Sequence, residues 1–448
     1  MPTTGLGETI YAEATAGGVA GVAVVRLSGP NAAHILEELA GALPSPRRAT
    51  HRPLFSPLDG DLIDRGLVLW FPKPHSFTGE DVVEFHLHGG RAVVEGLFNA
   101  IQHYSWVRLA EPGEFSRRAF MNGKLDLTAA EGLADLVASE TDAQRRQALR
   151  QLSGELGELY ERWREELLRF QARVEATLDF VEEDVPTDLL AGVRVGLGVL
   201  LVQLNSHLDD GGRGEIVRRG LRLVIAGAPN VGKSSLINRL CGREVSIVYP
   251  SGGTTRDVIE TQLNFEGLPV SISDTAGIRE AQNPVEKEGI RRGNLAVKKA
   301  DILILVFDAT TYPAIDAATL SLLQESSCVV FNKIDAVKEA TSPAAIEGCT
   351  AHHVSCATGE GLQELTASLS RQVRAFTDRT EAPLLTRARH REALAHCAAS
   401  VKRAKTLDDP ELVAEELRSA SSALGRITGR AGVEDILDFI FSEFCIGK

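Results

Sequence analysis

The sequence predicts a multidomain protein: an N-terminal α+β domain, an α-helical domain, and a doubly wound α/β domain inserted into the helical one. Three observations predict it. Residues 227–234, Gly-Ala-Pro-Asn-Val-Gly-Lys-Ser, form a phosphate-binding loop between a strand-like and a helix-like run. Apolar residues recur at three- and four-residue steps on both sides of that region, the mark of amphipathic helices. The N-terminal quarter instead mixes short β-type runs with turn residues and short helical patterns.

The elements follow in order. Val22–Leu27, Leu67–Phe71 and Val82–Leu87 read as strands of the first domain, and Pro112-Gly113 marks its end. Leu149, Leu152, Leu156, Tyr160, Trp163, Leu167, Phe170 and Val174 then predict one long amphipathic helix, which Val185-Pro186 ends. A second helical run, Val193–Leu208, leads into a linker at Asp209-Asp210-Gly211-Gly212. Strand-like runs at Leu221–Ala226, Val270–Ser273, Ile302–Phe307, Val329–Asn332 and His353–Ser355 alternate with helical ones, the doubly wound pattern. The expected domains are 1–118, 119–215, 216–378 and 379–448, the second and fourth packing as one helical domain.

Bulk properties narrow the class. The chain has 448 residues, room for about two to four domains. No run approaches the roughly 18 apolar residues of a membrane span. The N-terminus carries neither a secretory nor a transit pattern, so a cytoplasmic protein is expected. Six scattered cysteines without a C-x-x-C pair disfavour a zinc ribbon or a disulfide framework. A net charge of −13 argues against non-specific coating of nucleic acid. The Arg- and Lys-rich stretch between Arg371 and Lys405 reads as a solvated helix surface.

The inserted domain carries the chemistry. Gly227 and Gly232 let the backbone wrap phosphate oxygens, and Asn230, Val231, Ser234 and Ser235 complete the loop and the first helical turn. Lys233 should reach the β- and γ-phosphates and Ser234 should ligate magnesium. Asp274-Thr275-Ala276-Gly277 follows a strand, so Asp274 can hold a magnesium water and the Gly277 N–H can sense the γ-phosphate. Asn332 and Lys333 can brace base and loop, and Asp335 can accept from the N1–H and amino group of guanine. Ser355-Cys356-Ala357 fits a loop closing over the guanine carbonyl, with Cys356 where Ala is usual. These residues together predict a guanine-nucleotide domain.

Ile278 follows Asp-Thr-Ala-Gly, where Ras-like switches place a water-orienting Gln. Attacking water must therefore be positioned otherwise. Asn230, read alone, is also an ordinary polar loop residue. With Gly252-Gly253-Thr254-Thr255 nearby, its amide oxygen suits a monovalent cation beside the phosphates.

Further motifs flank the inserted domain: the closing Cys445-Ile446-Gly447-Lys448, Ser76-Phe77-Thr78-Gly79-Glu80-Asp81, His88-Gly89-Gly90, Pro112-Gly113-Glu114-Phe115-Ser116, and Lys124-Leu125-Asp126-Leu127 with Ala130-Glu131. In these motifs and their order the chain resembles, from end to end, the MnmE (TrmE) family of tRNA-modification GTPases. The resemblance implies an N-terminal α+β folate-binding domain that also makes a homodimer, and a Ras-like α/β P-loop GTPase domain inserted in the helical domain. It further implies a flavoprotein partner, MnmG (GidA), in a heterotetramer or larger complex, and tRNA as the object of the work. The product would be a carboxymethylaminomethyl or aminomethyl group at carbon 5 of the wobble uridine. Methylene- or formyl-tetrahydrofolate would supply the carbon and FAD would enter only through the partner.

The same resemblance implies roles for individual residues. Potassium would stand for an arginine finger, held by Asn230, by Tyr249 and Ser251 through their carbonyls, and by Thr254, in a loop that includes Pro250, Gly252 and Gly253. Ser234 and Thr255 would ligate magnesium, and Glu286 would position attacking water, alongside Asn230, Thr255 and Gly277. Arg26, Glu84, Lys124 and Lys448 match folate-contacting positions, and Cys445 is a candidate for the modification chemistry. Taken without the family, Glu286 is one more switch-region acid, and Arg26, Glu84 and Lys124 are surface charges.

Some positions depart from the family pattern. Ala16-Gly17-Gly18-Val19-Ala20-Gly21 lacks a usual Arg, Leu87 replaces a common Gly, and Pro250 and Ser251-Gly252 alter the potassium loop. His86 and His88 share one strand face and read as packing residues rather than metal ligands. The alternative is a non-modifying regulatory or ribosome-assembly GTPase with binding modules as flanks. Such a factor has no need of the N-terminal domain or the terminal Cys-Ile-Gly-Lys.

Overall fold

The computed structural model describes residues 7–179, 189–242, 260–274, 295–324, 327–337, 342–377, 385–432, 434–442, 444 and 447. Two compact units result. One comprises Met1–Ala134, Arg150–Leu204 and Glu392–Lys448, the other Asp135–Leu149 and Asn205–Arg391.

In the first unit, β1 (Thr9–Glu13), β2 (Ala20–Ser28), β3 (Thr50–Phe55), β4 (Leu62–Phe71), β5 (Val82–Gly89) and β6 (Val107–Leu109) form one sheet in the order β3-β4-β5-β2-β1-β6. The three strand runs predicted here each lie within a strand. Period-two alternation sends Val25, Leu27, Val83 and Phe85 to one face. There they pack with Ile35, Leu36 and Leu39 of α1 (Ala32–Ala40) and Leu97 and Ile101 of α2 (Arg91–Gln102). The in-between residues Arg26 and Glu84 are partners in the β2–β5 register and stand on the opposite face.

Pro112-Gly113 leads into the next helix within this unit. Gly113 adopts φ 67° at the start of α3 (Glu114–Met121), and a Cβ there would overlap the Phe441 carbonyl oxygen, so only glycine fits. Asp126 caps α4 (Leu127–Val137), accepting from the Ala129 N–H and the Thr128 hydroxyl at 2.7 Å each. The Lys-Leu-Asp-Leu motif thus has a structural use.

The single long helix expected through Leu149–Val174 is two. α5 (Asp142–Leu152) stops at Ser153-Gly154, where Gly154 takes φ 91°, and α6 (Glu155–Asp179) begins beyond it. The apolar period runs across the break, which hid it. Tyr160, Leu167 and Val174 of α6 are buried, as are Val193, Leu197, Leu200 and Leu204 of α7 (Leu189–Leu208). Gly196 of α7 abuts the tip of the Phe170 ring, with no room for a Cβ. Val185-Pro186 lies outside the described residues. Three helices close the unit: Ala388–Thr406, Pro410–Thr428 and Glu434–Ser442. The second of them starts on an Asp409 cap with Pro410 in its first turn and stops at Gly429, φ 89°.

The second unit holds a seven-stranded sheet. Its strands are β7 (Leu221–Ala226), β8 (Glu260–Phe265), β9 (Leu268–Asp274), β10 (Ile302–Asp308), β11 (Ser327–Asn332), β12 (Ala345–Ile346) and β13 (Cys349–His353). Their order is β12-β13-β11-β10-β7-β9-β8, with the five central strands parallel and the two edge strands antiparallel. The runs Ile302–Phe307 of β10 and Cys328–Phe331 of β11 are apolar and buried on both faces, as parallel strands covered by helices must be. β7 lies between β9 and β10, so a crevice opens at its carboxyl end. The final strand stops at His353, two residues before the expected Ser355. Val354 still donates to the Phe331 carbonyl at 2.8 Å, but the Ser355 N–H turns to Glu360.

The boundaries expected at 215/216 and 378/379 differ from this division. Gln144 and Gln147 of α5 donate to the carbonyls of Arg218 and Gly214 in α8 (Arg213–Arg219). Asp135 pairs with Arg218 and Arg387, and Arg391 pairs with Asp210 and Glu215. These ties draw the linker and the flanking helix ends into the α/β unit. No helix among the described residues is long and apolar enough to cross a membrane.

Candidate functional site

The phosphate loop leaves β7 and ends in α9 (Lys233–Cys241), so the first N–H groups of α9 face the crevice. Gly227 must be glycine because a Cβ there would overlap the Val306 carbonyl oxygen of neighbouring β10. Gly232 takes φ 98°, and a Cβ on it would overlap the Asn332 amide nitrogen. Lys233 is buried, its Nζ donating to the carbonyls of Gly227 at 2.9 Å and Ala228 at 3.0 Å. Its charge is thereby held inside the loop. Asn230 sits at the exposed crest with φ 62°, a left-handed conformation that Asn tolerates. Ser234 and Ser235 are exposed at the start of α9, and Val231 is buried beneath the loop.

Asn332 joins the two halves of the site. Its amide donates to the Val231 carbonyl of the phosphate loop at 2.7 Å, and its side-chain oxygen accepts from the Cys356 N–H at 3.0 Å. Lys333 adopts φ 67°, and its Nζ pairs with Asp308 at 2.6 Å. Burial of Asp308 is outweighed by that lysine and by Thr310, which hold its carboxyl below the usual range. Asp335, in the short turn Ile334–Ala336, is exposed. Ser355 is buried, its hydroxyl accepting from the Thr358 N–H at 3.0 Å, so the base loop is fixed from within. Burial raises the Cys356 thiol above its ordinary value and keeps it protonated. Replacing the usual Ala therefore adds no reactive group.

Asp274 ends β9, level with Ile225 of β7. Thr275, Ala276, Gly277, Ile278 and Glu286 lie outside the described residues, as do Tyr249, Pro250, Ser251, Gly252, Gly253, Thr254 and Thr255. The structure therefore brings together the residues expected to bind the phosphates and the base.

A second candidate site lies on the open face of the N-terminal sheet. Arg26 pairs with Glu84 through Nε at 3.0 Å and Nη2 at 2.9 Å. Glu84 also faces the His86 ring nitrogen at 3.3 Å. The Arg26 guanidinium lies 5.6 Å from the centre of the Phe77 ring and 5.8 Å from that of Phe115. Its Nη1 donates to the Gly447 carbonyl at 3.4 Å, so the C-terminal segment reaches this pair. Gly447 takes φ 96°, and a Cβ there would overlap the Glu13 carbonyl oxygen. Lys124 is exposed, its side chain passing against Gly79. Cys445 and Lys448 lie outside the described residues. His88 turns to Asp64 at 2.9 Å, and no metal-binding cluster occurs among the described residues.

Spacing alone missed what holds this pair. Arg118 is buried and donates to Glu80 at 2.9 Å, to Glu114 at 3.1 Å and to the Glu8 carbonyl at 2.8 Å. Burial of Glu114 is outweighed by Arg108 and Arg118, which keep its carboxyl low and ionised. Glu80 and Thr78 both bond to Ser28, and Asn122 donates to the Thr78 carbonyl. The Ser-Phe-Thr-Gly-Glu-Asp and Pro-Gly-Glu-Phe-Ser segments are thus the frame that sets Phe77 and Phe115 against Arg26. The signal lay in those two motifs, but their partner Arg118 lies outside both.

The pattern of the MnmE helical domain matches residues 127–445, and that of the GTP-binding protein TrmE N-terminus matches residues 9–124. The tRNA modification GTPase MnmE of Paramagnetospirillum magneticum is 51% identical over 444 residues, 99% of this chain and 100% of that one. The protein of the same name from Rhodospirillum rubrum is 50% identical over 456 residues, 98% of this chain and 99% of that one. A mitochondrial Homo sapiens protein, 5-taurinomethyluridine-[tRNA] synthase subunit GTPB3, is 45% identical over 466 residues, 100% of this chain and 94% of that one. An assembled phosphate-and-base site, flanks that match at both ends and identity along the full length lead to one conclusion: the chain belongs to the MnmE family of tRNA modification GTPases.

Proposed function

We propose that the chain is a potassium-activated GTPase that, with a flavoprotein partner, serves modification of the tRNA wobble uridine with a folate-derived carbon. The observation that carries this reading is Asn332, which ties an intact phosphate loop to a base loop in a chain matching MnmE relatives end to end.

Lys233 and the first amides of α9 bind the phosphates, and Asp335 with the Ser355–Ala357 loop orients the guanine. Ser234 stands at the loop's exit, and with Thr255 and Asp274 it would hold magnesium. Magnesium held there would supply positive charge beside the phosphates. The exposed Asn230 amide has no protein hydrogen-bond partner among the described residues, which suits a further ligand at the crest. With the Tyr249 and Ser251 carbonyls and Thr254 it offers only neutral oxygens, a donor set for potassium rather than a transition metal. Potassium held there would supply the positive charge that an arginine finger would otherwise bring. Glu286 would position the attacking water. Hydrolysis is expected to run at least about tenfold faster in potassium than in sodium. Asn230→Ala should abolish the difference, and equal wild-type rates in both salts would remove the cation from the account.

On the open sheet face, Glu84 can accept two donors from an amino-pyrimidine edge while remaining paired with Arg26. Half-buried Phe77 supplies flat apolar surface beside it, with Phe115 buried behind, and Lys124 and Lys448 would offer cations for a carboxylate tail. Cys445 would join from the C-terminal segment. A tetrahydrofolate derivative fits that donor set. Glu84→Gln exchanges a charged acceptor for a neutral one and is expected to weaken 5-formyl-tetrahydrofolate binding by about tenfold to a hundredfold in calorimetric titration. Unchanged affinity would place the folate elsewhere. The homodimer, the MnmG (GidA) partner with its FAD, and tRNA as substrate complete the proposal, in the cytoplasm.

A further inference from the structure

We infer that Arg239 is a positioning residue for guanine recognition, acting through the base loop. It lies in the last turn of α9, seven residues beyond Gly232, and its side chain reaches across to a segment more than a hundred residues away. Nε donates to the Cys356 carbonyl at 2.8 Å and Nη2 to the Ala357 carbonyl at 2.7 Å. The Cys356 carbonyl shares its peptide plane with the Ala357 N–H, which would face the guanine carbonyl. The inference rests on that placement of the base.

The geometry gives the loop two anchors. Asn332 holds the Cys356 N–H, while Arg239 holds the Cys356 and Ala357 carbonyls. An amide can read the base carbonyl only if its direction is fixed, and a peptide plane is fixed when its carbonyl end is held. The guanidinium is suited to this because its donors form a rigid planar fork that spans two neighbouring acceptors. Because Arg239 rises from the same helix that Lys233 begins, the phosphate loop and the base loop also share one rigid element. Loss of the clamp should therefore loosen reading of the base while leaving the phosphate groups and hydrolysis in place.

The test compares GTP with 2,6-diaminopurine riboside triphosphate, which carries an amino group where guanine has its carbonyl, keeps the 2-amino group and lacks the N1–H. The share of the preference due to Asp335 is the same in wild type and variant, so a change reports on the base loop. Wild-type chain is expected to prefer GTP. Arg239→Ala should narrow that preference and speed dissociation of fluorescent GDP, each by about tenfold, the worth of one or two hydrogen bonds. Turnover at saturating GTP should stay the same. Arg239→Lys, a single point donor, should restore part of the preference, and Arg239→Gln serves if the alanine variant does not fold. A variant that keeps the full preference, or that loses both nucleotides equally with a lowered melting temperature, overturns the inference alone. Wild-type chain that binds both triphosphates equally overturns the placement of the base and the inference with it.

Discussion

Replacing Gly232 by alanine is expected to lower affinity for GTP and GDP by about three orders of magnitude. Gly232 holds φ 98°, and a side-chain carbon there would collide with the Asn332 amide nitrogen. Asn332 would have to leave, breaking its bonds to the Val231 carbonyl and the Cys356 N–H at once. Each buried group left unpaired costs roughly 1–3 kcal/mol, and the forced backbone conformation adds about as much. Together these approach the ~4 kcal/mol that a thousandfold loss represents. One methyl group thus damages the phosphate half and the base half together. Titration with fluorescent GDP measures the loss, and a melting curve verifies that the α/β unit remains folded. Near-normal affinity would mean that the Asn332 tie does not hold the site.

Asp335→Asn should have the second largest effect and should redirect the site rather than empty it. The exposed carboxylate stands in the turn that Lys333 opens in a left-handed conformation, with Lys333 fastened to Asp308. A carboxylate accepts from both the N1–H and the 2-amino group of guanine, whereas an amide must present one donor. That donor opposes the 2-amino group of guanine but suits the 2-oxygen of xanthine. Affinity for GTP is expected to fall about a hundredfold and that for xanthosine triphosphate to rise, since hydrogen bonds to a charged group contribute roughly 1.5–3 kcal/mol each. Competition between the two triphosphates for the site measures the ratio. An unchanged preference for GTP would withdraw Asp335 from base recognition.

The α/β unit was legible because its cues are local. The continuous apolar run Ile302–Phe307 has no other comfortable place than a parallel strand covered on both faces, and Gly-Ala-Pro-Asn-Val-Gly-Lys-Ser carries its own backbone requirements. The helix break at Gly154 was not legible, because the apolar stripe continues through it and one glycine does not reveal its φ. What escaped most completely were side chains that act at long sequence distance. Arg239 looks like a solvent-facing charge until the base loop folds beside it, and Arg118 looks like any helix arginine until Glu80 and the Glu8 carbonyl close on it. Arg26 and Glu84 had family resemblance in their favour, but their register across β2 and β5 came only with the sheet. Periodicity reports burial; it does not report which buried or half-buried charges will meet.

The proposed work on tRNA is tested most directly by nucleoside analysis of tRNA from cells that lack this chain and from the same cells re-expressing it. The account predicts that the aminomethyl-type side chains at carbon 5 of wobble uridine disappear, return with the wild-type chain, and do not return with the Gly232→Ala variant. Wobble uridines that keep those side chains in the deleted cells would contradict it.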